Sequence, residues 1–241
     1  MPHIEIAAEH IFGFITNTLL STWVVLLIWV VIGLVISRGR NLVPSFIQNI
    51  VEIVLEGLLD MMSGVFGSRH EAEKYLPIIG TIFLFVLTSN WLGIVPGVGS
   101  IGFFELKEGG QVFVPFLRSG ASDLNTTLAL AIIALFFVHV IGAGAIGFKK
   151  HVGKFFTFKS PIDFFVGILE FISEIAKMIS FSFRLFGNVF AGEVLLIIMA
   201  FLAPYVVPVP FLGLELFVGF IQALVFAMLT TVFIGLASSH H

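Results

Sequence analysis

Long apolar stretches separated by short polar ones set the pattern of this chain. Three runs carry no Asp, Glu, Lys or Arg: Ile11 to Ser37, Tyr75 to Phe104 and Leu124 to Phe148. Each exceeds the ~20 residues that cross a ~30 Å hydrocarbon core as a helix. They predict membrane spans over about 19–37, 76–96 and 124–148. Residues 42–66 differ, because Glu52, Glu56 and Asp60 recur four apart while Val51, Leu55, Leu58, Leu59 and Met62 fall opposite. That is an amphipathic helix, read as lying at the membrane surface; a helix packed on a partner is the alternative.

From Pro161 to Ala203 the chain runs without an internal proline or an Asn–Gly or Pro–Gly turn. As one helix at ~1.5 Å per residue it is ~64 Å long, about twice what a perpendicular span needs. A single strongly tilted helix over 161–203 is therefore preferred to a tight hairpin. Pro204, Pro208 and Pro210 make a turn, and a last helix follows over about 211–238 with Glu215 as its only charge. The expected fold is an all-α integral membrane protein of five transmembrane helices plus the surface helix, residues 1–241 forming one membrane domain.

Composition excludes other classes. Of 241 residues 58% are hydrophobic and 11% charged, against about 25% charged in soluble domains, and mean hydropathy is +1.10. The outside must face lipid. Cysteine is absent, which removes disulfide scaffolds, thiol catalysis and cysteine metal sites. A net charge of −3 leaves no basic footprint for nucleic acid. The apolar run near the amino terminus lacks a basic start, so no cleaved signal peptide is expected. Basic residues then orient the spans. Arg38, Arg40, Arg69 and Lys74 follow the first span, and Lys149, Lys150, Lys154 and Lys159 the third; the opposite side holds only Lys107 and Arg118. The amino terminus is expected outside and the carboxyl terminus in the cytoplasm.

The long fourth helix carries charges that a lipid-facing helix should not. Glu170, Glu174, Lys177, Arg184 and Asn188 fall on one stripe, within about 40° of Glu170 at 100° per residue, and Phe181 shares it. A charge at the bilayer centre costs ~2.5 to ~17 kcal/mol depending on method, so the stripe must face a partner or water. Arg184 lies near mid-span and effectively cannot deprotonate. Along the helix Glu170 and Glu174 are ~21 and ~15 Å from it, and the nearer Lys177 has the wrong sign. Glu193 points to the other side, about 180° round. Glu215 and Gln222 share a face of the last helix, Asn90 sits in the second span, His139 in the third and Asp123 at its outer mouth. Given the orientation, Glu170 and Glu174 are cytoplasmic to Arg184, while Glu193 and Glu215 lie on its outer side. Two sets of titratable carboxylates divided by a fixed cation are what two proton-access paths with a barrier between them require. For any one carboxylate, a hydrogen bond tying helices together is an equally good reading.

These residues bring a resemblance into view. Phe183–Val194 reads FRLFGNVFAGEV, Ala121–Leu128 ASDLNTTL, Thr88–Gly97 TSNWLGIVPG and Ile221–Leu229 IQALVFAML. In order, they resemble subunit a of the rotary F-type ATP synthase, the membrane stator beside the ring of c subunits. The resemblance implies a non-catalytic, proton-translocating subunit of a bacterial inner membrane. Its long last two helices would tilt beside the c ring, and peripheral-stalk b subunits and lipid would be the other neighbours. Arg184 matches the arginine that keeps two half-channels apart. Asn188, Glu193 and Gln222 match polar channel positions, Asn90 and Asp123 the outer access side, and Glu170 the cytoplasmic path. Where many relatives carry histidine, this chain has Glu215, and with Glu193 it forms a carboxylate pair inclined to share a proton. No cofactor, metal or nucleotide is expected here, since no GxxxxGK[ST] is present. Three rivals fit less well: a secondary transporter would show inverted repeats and broken helices, a cytochrome-like subunit would need more than His139 inside its spans, and a purely structural bundle would tolerate neutral replacements of Arg184 and Glu193.

Overall fold

The computed structural model describes residues 8–12, 15–38, 46–95, 97–107, 110–153, 160–203 and 206–239. Among them are seven α-helices: α1 (Asn17–Arg38), α2 (Phe46–Phe66), α3 (Arg69–Leu92), α4 (Leu124–Ile146), α5 (Phe148–Gly153), α6 (Pro161–Leu202) and α7 (Pro208–Ser239). Five of these, α1, α3, α4, α6 and α7, are long and apolar enough to cross a membrane. The chain is an all-α integral membrane protein. Of the positions expected to matter, residues 42–45, Arg40, Pro96, Lys154, Lys159 and Pro204 lie outside the described residues.

Two small hairpins interrupt the helical plan. One pairs β1 (His10–Phe12) with β2 (Ile15–Thr16). The other pairs β3 (Gly102–Lys107) with β4 (Gly110–Pro115) in antiparallel register from Gly102–Pro115 to Lys107–Gly110. The segment after the second span thus carries a folded ribbon. Its signal is present in the sequence: Phe, Leu and Val runs flank Glu108-Gly109-Gly110, the composition of a hairpin turn.

Helix ends follow local chemistry. Ser160 caps α6 by accepting a hydrogen bond from the Ile162 N–H at 3.3 Å, with Pro161 in the first turn where its missing N–H costs nothing. Gly147, at φ +93°, ends α4 in a conformation L side chains avoid and turns the chain into α5. The second span begins earlier than its hydropathy shows, since α3 takes in Arg69, Glu71, Glu73 and Lys74 before its apolar part and continues through Pro77.

The core forms where α3 meets α7 and where α4 packs on α6 and α7. Phe83, Ile79, Val86, Phe181, Leu185, Phe226 and Ile234 are buried there, interleaved with Ala131, Ala134, Ala223 and Ala227. Small residues let helix backbones approach without a hydrophobic drive between them, which is how helices associate in lipid. The amphipathic α2 buries Leu58, Leu59 and Met62 and packs on α3 and α7. Its apolar face is therefore covered by this chain, while Glu56 and Asp60 on the exposed side pair with Arg69 at 3.7 and 3.1 Å. Most large apolar side chains of α1 and the first half of α6 stay exposed, Leu27 at 64% and Ile162 at 75% among them.

Candidate functional site

The ionic stripe of α6 divides. Its lower part turns inward: Glu174 accepts a hydrogen bond from Lys177 Nζ at 2.9 Å, and the same ammonium sits 4.9 Å from the Phe233 ring of α7. Phe181 packs on Phe226 and Phe233. Its upper part faces outward, with Arg184 and Asn188 both exposed while Leu185 and Val189 are buried. Helical periodicity alone puts these residues on one line. Which part is covered depends on where α4 and α7 lean against α6. Among the described residues Arg184 makes no ion pair, and its side chain donates one hydrogen bond, from Nη2 to Ser180 Oγ at 3.4 Å. No carboxylate among the described residues neutralises it there.

On the other side of α6 lies a cavity of about 330 Å³, between α3, α6, α7 and the segment carrying the β3–β4 hairpin. That volume holds on the order of ten waters. Asn90, Arg118, Glu193 and Glu215 line it. Asn90 reaches it from α3 with its amide donating to the Gly219 carbonyl at 2.9 Å, and the next residue, Trp91, donates from Nε1 to the Leu216 carbonyl at 3.0 Å. The two bonds staple α3 to α7 where Gly219 permits close approach; a Cβ there would lie 3.2 Å from Asn90 Cβ. Glu215 is seated in the same way, since a Cβ at Gly192 would fall 2.9 Å from its Oε1. Glu215 Oε2 and Asn90 Oδ1 are buried and have no hydrogen-bond partner among the described residues. Buried oxygens of this kind are ordinarily satisfied by water, which fits a wet cavity.

Sequence reasoning missed the partner of Glu193. Arg118 Nε donates to Glu193 Oε1 at 3.0 Å and Nη2 to Oε2 at 3.1 Å, a forked pair whose side chains are 10% and 31% exposed. Arg118 reads in sequence only as a loop charge. Its backbone N–H is bound to Ser21 Oγ of α1 at 3.0 Å, so the loop that delivers it is anchored. Gln222 is partly buried on α7, on the helix that carries Glu215. Glu170 is partly buried one turn before Glu174.

Asp123 stands at the start of α4. Its carboxylate caps α4 and accepts from Asn125 N at 3.0 Å, Asn125 Nδ2 at 3.3 Å, Thr126 Oγ1 at 3.3 Å and Thr18 Oγ1 of α1 at 3.1 Å. It is buried and does not line the cavity. The geometry is that of an anchor between α1 and α4. Asp123→Ala is expected to destabilise the protein by about 2–3 kcal/mol, a lost cap plus stranded donors. Asp123→Asn, which keeps an acceptor oxygen, should cost less than half of that. Thermal unfolding of the purified protein in detergent checks both.

A further cluster lies near the start of α6. His139 Nδ1 is 3.1 Å from His151 Nε2 of α5, and His139 Nε2 is 3.6 Å from Glu174 Oε2. Among the described residues no group of three or more His, Cys, Asp or Glu side chains is arranged to hold a metal ion.

Comparison with known proteins identifies the family of the chain. The family model described as ATP synthase A chain matches residues 19–235. A protein of Gloeobacter violaceus named ATP synthase subunit a is 39% identical over 229 residues, 93% of this chain and 85% of that protein. Proteins of the same name from Syntrophobacter fumaroxidans and Campylobacter jejuni are 36% and 35% identical, over 91% and 88% of this chain and 83% and 85% of their own lengths. With a matched model running through nearly all of its helices and relatives of this closeness, the chain belongs to the ATP synthase subunit a family.

Proposed function

We propose that this chain conducts protons through two offset half-channels to and from the carboxylates of a c-subunit ring, with Arg184 as the electrostatic separator. One observation carries the reading: at mid-length of a long apolar helix stands a permanent cation, on a face that the described residues leave uncovered and without a carboxylate among them. Such a charge needs a partner from outside the chain. A ring of carboxylates passing that face supplies one.

The outer half-channel is the cavity lined by Asn90, Glu193 and Glu215, with Arg118 holding the Glu193 carboxylate in place. A proton taken up there passes to a c-subunit carboxylate, whose neutral form then moves through lipid at little cost. On its return it meets Arg184, which favours the ionised form, and the proton is released toward Glu170 on the cytoplasmic side. Asn188, one turn above Arg184 on the same exposed face, and Gln222 on α7 line the ring-facing polar surface. Asp123 stands on the outer access side and fixes the start of α4 there. Each charge carried through 100 mV gives about 2.3 kcal/mol to bias rotation. No covalent bond changes in this chain, and nucleotide chemistry belongs to the soluble head. The amino terminus lies outside and the carboxyl terminus in the cytoplasm of a bacterial cell. The α6 helix tilts strongly, being ~63 Å long against a ~30 Å core. The c ring, peripheral-stalk b subunits and lipid are its neighbours.

Vesicles carrying the complex stripped of its soluble head test the reading. An imposed potential should drive proton flux when this chain is present. Complexes lacking the chain should show only the background leak of the lipid. Equal flux in both would refute the proposal.

A further inference from the structure

Four polar side chains from three helices meet on the side of α6 opposite to the outer cavity's end. His139 of α4 stands between His151 and Glu174, 3.1 Å from the first and 3.6 Å from the second, and Glu174 is held by Lys177 at 2.9 Å. The site is built, because Gly147 at φ +93° folds α5 back onto α4. At Gly142 a Cβ would come within 2.9 Å of His151 Cε1, so only a glycine leaves room for that ring. His151 is 5% exposed, whereas the side chains of His139 and Lys177 are 34% and 31% exposed. A hydrogen bond between two imidazole nitrogens needs one proton between them, and it couples the tautomers of the two rings. In the tautomer whose His139 Nδ1–H donates to His151 Nε2, His139 Nε2 keeps its lone pair, and that is the nitrogen turned to Glu174.

We propose that His139, positioned by His151 and faced by Glu174, is the proton-accepting side chain at the cytoplasmic exit of the channel. This rests on the half-channel reading above and adds a route to it. Glu174 lies ten residues before Arg184, ~15 Å along α6, with Lys177 between them on the same stripe. A proton released near Arg184 is taken up at His139 Nε2, leaving an imidazolium that faces the Glu174 carboxylate. The same proton then leaves from Nε2 to cytoplasmic water and His139 returns to neutral. Among the described residues the other charged groups on the elements packed against it are few. The α6 helix carries Glu170 one turn from Glu174, α5 carries Lys150 beside His151, and α7 has no charged residue or histidine after Glu215 up to Ser239. Glu174 and Lys177 cancel, so the added proton changes the cluster from neutral to singly positive.

The test uses the complete complex in inside-out vesicles, whose bath faces the cytoplasmic side. ATP synthesis is driven by a fixed potential while bath pH is varied, and the rate of His139→Gln is divided by that of wild type at each pH. The soluble head is common to both and drops out of the ratio. The ratio should change at least about threefold between roughly pH 5.5 and 8, through the ordinary histidine range. His151→Gln should produce a similar trend. A flat ratio for an assembled H139Q complex, the outcome of a purely structural cluster, overturns the proposal. Where H139Q fails to assemble, Glu174→Gln reads the same contact, and a flat ratio there overturns it equally. Arg184→Ala in the same vesicles separates the two levels: coupled synthesis in R184A sinks the half-channel reading itself, whereas inactive R184A with a flat H139Q ratio sinks only the exit role of His139.

Discussion

Replacing Arg184 with alanine should leave the complex assembled and reduce proton-driven ATP synthesis below about 1% of wild type. Assembly survives because the side chain is exposed and gives up a single 3.4 Å hydrogen bond to Ser180; no buried partner is stranded. Synthesis fails because the cation is the barrier between the half-channels. Two unit charges ~4 Å apart in an effective dielectric of ~20 interact by about 4 kcal/mol, roughly a thousandfold in population. Without that preference a c-subunit carboxylate passes α6 still protonated, and protons cross without turning the ring productively. Arg184→Lys should fall between, since an ammonium keeps the charge but loses the planar fork and can deprotonate when desolvated. Synthesis rates in energised vesicles, with the amount of assembled complex measured in parallel, provide the check.

Glu193→Gln is expected to cut potential-driven proton flux at least about tenfold, and its partner makes the cause separable. Arg118 is 10% exposed, so removing either member of the pair leaves the other under-compensated. Breaking a buried pair costs about 3–5 kcal/mol, and the 31% exposure of Glu193 places this one at the lower end. Arg118→Ala should therefore lower the thermal midpoint clearly. The double variant Arg118→Ala/Glu193→Ala should recover most of that loss, with a coupling of about 1–3 kcal/mol. It should not recover proton flux, because the titratable group is gone. Recovery of both would reduce Glu193 to a structural tie between α6 and the outer loop.

Hydropathy and proline placement made the membrane helices legible, above all the uninterrupted α6, found as one helix over Pro161–Leu202. Charge on an apolar helix singled out Arg184 for the same reason: lipid makes such residues expensive, so their presence is informative. What periodicity could not supply was the neighbour. Glu174 and Arg184 share a stripe, yet one is bound into the chain and the other is open, because α4 and α7 lean on only part of α6. Arg118 pairs with Glu193 across 75 positions, and that reach depends on a loop tied to Ser21 and followed by a short 3-10 turn. Asp123 shows the reverse. An Asp just before LNTT is an ordinary helix cap, and Asp123 caps α4 in the structure. His151 gives no signal of its own in the sequence, since the glycine that folds α5 back acts through backbone conformation rather than through any side chain.

The most direct measurement is the distance between the Arg184 guanidinium and the nearest c-subunit carboxylate in the assembled complex, determined by cryo-electron microscopy. The half-channel account predicts that carboxylate within direct or single-water reach of Arg184 at mid-membrane depth, with no carboxylate of this chain closer. A guanidinium closed onto Glu170, Glu174 or another acid of its own chain, or drawn out to the headgroups away from the ring, would contradict it.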